Sequence, residues 1–344
     1  MKLTILALSI GLIAMQALPA GLYNSRQFNI LESSNLAKSS TQSGGVVVTG
    51  VVSSKERIYA VVAARARQAN QSALISFRYD GSDLREVMLP FANAQAPALG
   101  KDGSVLLLST DTLEPRQVVV RVDASGVPQT IGETSFYARS VWQEGDQYRV
   151  FTADGRILGQ DSTGRFRQVV HDLYPKSASP SGCGSCVAPE IVRSLHGGAV
   201  VRLNRESAEM ERLSLDGARV PVALSHPWID EGMRDYDRLR ASARMAIPDV
   251  PSAGRGFALI VDAAATQDGG VALLVGPHDR RRPFRVLVGA HAMQAWEPVS
   301  APTMGMGDPF NPVFVTLISI DRLALADRLG NVRLYSPIRP EVNE

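Results

Sequence analysis

The chain has two cysteines, Cys183 and Cys186, and their Cys-x-x-Cys spacing is one arrangement that could do chemistry. As a redox dithiol the pair would need a helix N-terminus just after a strand, where a thiol pKa falls. Its surroundings, Ser177-Ala178-Ser179-Pro180-Ser181-Gly182, have loop composition. In an exported chain the pair therefore reads as a disulfide, with a redox dithiol as the alternative. So short a loop gives such a bridge about 2 kcal/mol at most, and two thiolates alone do not complete a tetrahedral zinc site. A second arrangement is Arg280-Arg281-Arg282 with Arg285. Guanidinium forks could hold a carboxylate or a phosphate by paired hydrogen bonds, and a solvated hairpin is the other reading. There is no Gly-x-Ser-x-Gly elbow, His-Glu-x-x-His pair or phosphate loop, so no catalytic set is evident.

The 344 residues carry 36 basic and 34 acidic side chains and are 45% hydrophobic, enough for one or two packed domains. A net charge of +2 without a long basic run argues against nucleic acid, whose binding needs clustered cations. Lys2, the apolar residues 3–14 and the small-residue stretch through Ala20 and Gly21 have the layout of a secretory signal cleaved after Ala20. The apolar run is shorter than the roughly 20 residues of a spanning helix. Without Lys2 the product is close to neutral. The expectation is a secreted or periplasmic protein with no membrane contact after cleavage.

The elements that must position these groups are short strands. From about Gly44 onward, runs of Val, Leu, Ile and aromatic residues alternate with tight turns such as Asp80-Gly81, Lys101-Asp102-Gly103, Asp123-Ala124-Ser125-Gly126 and Asp161-Ser162-Thr163-Gly164. Residues 148–152 and 156–160 flank Ala153-Asp154-Gly155; residues 105–110 and 117–122 form a matching pair. Six four-stranded units begin near Gly44, Gln95, Arg139, Val187, Gly256 and Asn311. The fold expected is all-β, a six-bladed β-propeller. The last unit lacks a fourth strand, and Gln27-Phe28-Asn29-Ile30-Leu31 would supply it, since an unclosed ring exposes a sheet edge. The organisation is then signal 1–20, ring-closing segment 21–43, propeller 44–338 and tail 339–344.

With turns such as Phe77-Arg78-Tyr79-Asp80-Gly81 and Leu213-Ser214-Leu215-Asp216-Gly217, the chain resembles the NHL-repeat and TolB-like propellers in architecture. The paired Gly-His and Trp-Asp residues of WD40 blades do not repeat. Three long connections, 173–186, 225–255 and 300–312, fall on one face, and elaborated loops on a rigid scaffold concentrate function. The second reads as a helical insertion between blades 4 and 5, burying Ile229, Met233, Tyr236 and Ala243. Capping the propeller is one reading of this helix; as a lid or partner contact it would present Asp230, Glu231, Arg234, Asp237 and Arg240 outward. On this face Arg139, Tyr174, Trp228, Arg234, Arg255, Arg281 and Phe310 are the candidate ligand-binding residues. His171, His226 and His278 lie on the same side and raise a metal site, although two of them follow outer strands.

The scaffold is also similar to gluconolactonase-like hydrolases, and that resemblance implies an axial Ca²⁺ held by Glu190, Asp308 and Asn311. Nearby Arg139 and Arg255 would oppose a cation there. The function expected is an exported binding module for a protein or peptide-like ligand, without a cofactor. A Ca²⁺-assisted hydrolase or lyase at the axis is the alternative.

Overall fold

The computed structural model describes residues 23–39, 45–64, 71–111, 116–134, 137–172, 190–195, 200–214, 218–246, 259–265, 270–276, 284–289, 295–299, 310–319 and 322–337. Its strands form six four-stranded antiparallel sheets, the blades of a β-propeller. Blade 1 is β2 (Val46–Ser53), β3 (Arg57–Ala64), β4 (Ser72–Arg78) and β5 (Arg85–Leu89); blade 2 is β6 (Ala92–Leu99), β7 (Val105–Asp111), β8 (Arg116–Val122) and β9 (Pro128–Thr134). Blade 3 is β10 (Ala138–Glu144), β11 (Gln147–Thr152), β12 (Arg156–Gln160) and β13 (Phe166–Asp172); blade 4 is β14 (Glu190–Ser194), β15 (Val200–Asn204), β16 (Met210–Leu213) and β17 (Arg219–Val222). Blade 5 is β18 (Ile260–Ala265), β19 (Val271–Val275), β20 (Arg285–Gly289) and β21 (Trp296–Val299). Blade 6 joins β22 (Phe314–Ser319), β23 (Arg322–Ala326) and β24 (Asn331–Pro337) to the N-terminal strand β1 (Tyr23–Asn29).

The ring closes as the sequence suggests. β1 pairs antiparallel with β24, from Tyr23 opposite Pro337 to Asn29 opposite Asn331. Each innermost strand packs on the next, β2 on β6, β6 on β10, β10 on β14, β14 on β18, β18 on β22, and β22 back on β2. The inner strands start one to three residues from the expected positions, or four in blade 5. Most of them carry bulges, as at Thr49, Arg139 and Val261, and a bulge shifts the alternation that sequence reading relies on.

Six apolar clusters fill the seams between blades. Ala60 and Val62 of β3 face blade 6, whereas Val61 faces blade 2. Strands buried on both faces therefore read as nearly continuous apolar runs. The recurring Asp turns have a common cause: Asp123 Oδ1 accepts the amides of Ser125 and Val127, and Asp161 Oδ1 those of Thr163 and Arg165. These bonds replace ladder bonds at the turn, and Gly126 and Gly164 take the positive φ that each turn then requires.

The link from blade 6 to blade 1 is clasped by Glu86 of β5. Its carboxylate accepts from Ser34 Oγ (2.9 Å), Asn35 N (2.7 Å) and Leu36 N (3.0 Å). This holds the short helix α1 (Asn35–Ser39) with Leu36 buried in the seam between blades 6 and 1.

Candidate functional site at the helix-bearing face

Strand order puts the turns between second and third strands, and the links between blades, on one face. Helix α2 (Pro227–Ala246) follows β17 and precedes β18, so it lies on that face, as the sequence implies. His226 caps it. Its Nδ1 accepts from Trp228 N (3.1 Å) and its carbonyl from Ile229 N (2.9 Å) and Asp230 N (3.1 Å). An accepting Nδ1 requires a proton-free nitrogen, and burial, aided by Arg285, pushes the His226 pKa below 6.5 against a smaller opposing effect of Asp230.

The first half of α2 is fastened to the ring. Ile229 and Tyr236 are buried in a core shared with Leu259 and Leu273, and Met233 and Trp228 pack against it. Gly232 permits this approach, because a Cβ there would lie 2.4 Å from Leu259 Cδ1. Two residues expected to point outward instead reach back to the blades. Glu231 meets Arg285 at 3.4 Å, and Arg240 donates to the Glu206 carbonyl at 2.8 Å. Their long side chains fold back over the blades, whereas Asp230, Arg234 and Asp237 are exposed as expected. Ala243's side chain is outside the described residues. Beyond Tyr236 the helix exposes Leu239 (36%) and Met245 (76%).

At the axis, Arg139 occupies the bulge that opens β10. Burial lowers its pKa, while Tyr137 and Glu190 oppose that shift. Glu190 opens β14 with its side chain 1% exposed. Its Oε1 accepts from Arg202 (2.6 Å), and Arg202 reaches on to Glu211 (2.9 Å). Arg193 of β14 donates to Ala263 O (2.7 Å) and to Asp262 Oδ1 (2.8 Å), and Asp262 Oδ2 accepts from Val315 N (3.0 Å). Asp262 thus ties blades 4, 5 and 6 together. Arg205, in the turn after β15, donates from Nε to Ile260 O (2.8 Å), and its own carbonyl accepts from Leu259 N and Ile260 N. Burial pushes its pKa down; Asp262 and Glu206 oppose this, while Arg193 and Arg139 add to it.

The sequence candidates meet different fates. Arg139 is half-buried near the start of the innermost strand β10, and Arg234 is exposed on α2. Trp228 lies beneath the Arg285 guanidinium, 4.7 Å from its ring centre. Arg285 is therefore engaged with α2 through Trp228 and Glu231. Phe310, expected to line a ligand wall, is 4% exposed and packs with Leu325 and Tyr335, the Arg333 guanidinium stacked 4.3 Å from its ring centre. Tyr174, Arg255, Arg281, Asp308, His278, Cys183 and Cys186 lie outside the described residues, as do residues 1–20. His171 is on the outer strand β13, opposite Ile157, and so on a different element from the capping His226. Of the Ca²⁺ set, Glu190 is paired with Arg202 and Asn311 is exposed. Among the described residues no three His, Cys, Asp or Glu side chains converge on a common ion position.

Arg193, Arg202, Arg205 and Asp262 were not legible as a group. Their one sequence signal is a charge inside an apolar run, as in Ile191-Val192-Arg193 and Val200-Val201-Arg202-Leu203. On the opposite face, a depression of about 440 Å³ is lined by Glu56, Arg78, Tyr79 and Asp80. Charges of both signs line it, so they give it no preference for one sign of ligand.

No family model matches the sequence, and no curated protein matches it. Solved structures do match in fold. A protein of unknown function from Bacteroides thetaiotaomicron aligns at 11% identity with a TM-score of 0.57, covering 92% of this chain and 76% of that one. YCF48 bound to D1 peptide aligns at 11% identity and 0.50, covering 92% and 99%. TolB from Acinetobacter baumannii aligns at 14% identity and 0.49, covering 82% and 63%. At these identities the likeness is one of fold.

Proposed function

We propose that this chain is an exported β-propeller that binds a protein or peptide-like ligand through the helix-bearing face, with no cofactor. The observation that carries the reading is the build of α2: its first half is locked onto blades 4 and 5, and its second half holds Leu239 and Met245 exposed. An insertion held rigidly with apolar side chains facing water suits recognition better than it suits packing. Arg139 on the same face supplies a charged contact. A propeller of similar fold, YCF48, was solved bound to D1 peptide, which supports a peptide as the ligand class.

The test is to pan a displayed random-peptide library on the full chain and on the double variant Leu239→Ala/Met245→Ala. Peptides enriched on the native chain should bind the variant at least fivefold more weakly. Equal binding to both, or no enrichment on the native chain, would overturn the reading. Export is tested by fusing residues 1–30 to a reporter enzyme that is active only outside the cytoplasm; a silent fusion counts against it.

A further inference from the structure

Arg205 lies in the turn after β15, at the junction of blades 4 and 5, where Arg193 of blade 4 and Arg139 of blade 3 each depress its pKa. Three carboxylates stand near this layer: Asp262 and Glu206, whose charges act on Arg205, and Glu190, which pairs through Oε1 alone. Asp262 spends one oxygen on Arg193 and the other on the Val315 amide, and Glu190 holds Arg202. Arg193 is used up in fastening blades, through Ala263 O, Val192 O and Asp262. Arg205 differs. Only its Nε has a hydrogen-bond partner among the described residues, the carbonyl of Ile260, which fixes the plane of the guanidinium and leaves its two Nη groups as a fork.

The floor of that fork is rigid, because the Arg205 carbonyl also accepts the amides of Leu259 and Ile260 at 3.0 and 3.3 Å. Its roof is α2: Arg240 holds the adjoining Glu206 carbonyl, and the buried Tyr236 lies within the field of Arg205. A half-buried, pre-oriented fork is complementary to a planar anion that accepts two parallel hydrogen bonds.

Resting on the peptide-binding reading above, we infer that Arg205 receives a carboxylate of the ligand, either its C-terminus or an acidic side chain. The two sources share one chemistry and are separable by synthesis.

The experiment uses the full chain and random octapeptides on beads, prepared in parallel as C-terminal acids and C-terminal amides. Enriched peptides should come from the acid set, or should carry Asp or Glu in either set. Converting the decisive carboxylate of one such peptide to its carboxamide should weaken binding about tenfold or more. Arg205→Gln should weaken the acid form by a similar factor and the carboxamide form hardly at all. Arg205→Lys keeps the charge without the fork and should show an intermediate loss, and thermal melts verify that both variants fold. If Arg205→Gln does not fold, the Arg205→Lys cycle decides. Peptides enriched regardless of carboxylates, or equal losses of both forms in the variant, overturn this inference and leave peptide binding standing. Absence of any enrichment overturns both.

Discussion

Replacing Glu86 by alanine tests whether ring closure depends on a single carboxylate. The substitution removes the acceptor for Ser34 Oγ and Leu36 N, both part-buried, and for Asn35 N, which is exposed. A hydrogen bond to a charged group contributes about 1.5 kcal/mol at the lower end. The two part-buried bonds together then give about 3 kcal/mol, while water replaces the third. Guanidinium unfolding should register that loss. Hydrogen exchange offers a sharper assay, because the Leu36 amide is itself one of the donors. Its exchange should accelerate about a hundredfold, since each factor of ten corresponds to about 1.4 kcal/mol. In Glu86→Gln one accepting oxygen still serves both part-buried bonds, which converge on Oε1, but without the charge, so it should lose about half as much. A loss below about 1 kcal/mol, together with unchanged exchange at Leu36, would refute the idea that Glu86 clasps the segment, and would leave closure to the pairing of β1 with β24 and the packing of β22 on β2.

Two further outcomes follow from the geometry. His226 has a folded-state pKa below 6.5, so the stability it lends α2 is complete above that pH and is lost as pH falls through it toward the folded value. Trp228 fluorescence should change over that window in the native chain and stay flat in His226→Asn; equal titration of the two chains would exclude His226 as the cause. A Cβ on Gly50 would lie 2.3 Å from Pro97 Cδ, where β2 meets β6. Gly50→Ala should cost about 1 to 3 kcal/mol in unfolding experiments, and adding Pro97→Ala should restore most of it.

The blades were legible because their punctuation is local chemistry. Asp123 and Asp161 bond amides two and four residues on, so the turn is written in the turn itself. The closing strand was legible for a negative reason: blade 6 ran out of residues and one β-like segment had no partner. Glu231 and Arg240 were misjudged because the helical period gives the direction of Cβ, and long side chains can bend back from it to distant partners. Arg205 was illegible. Its neighbours Asn204 and Glu206 make an ordinary polar turn, and its partner Ile260 arrives 55 residues later, a distance no spacing rule spans. Phe310 was ambiguous, because an aromatic beside glycines suits a ligand wall and a core equally; it packs between blades 5 and 6.

The pairing of β1 with β24 also has a meaning in time. Asn29 and Asn331 are 302 residues apart and bonded to each other. At ribosomal speeds of roughly 5 to 20 residues per second, the first strand made waits about 15 to 60 s for its partner. Throughout that interval no chain can hold a complete sixth blade. A ring sealed by segments so distant in sequence stays open until the later of the two has been made. A chain truncated near its end would leave β1 unpaired, and its open edge would distinguish it from finished copies.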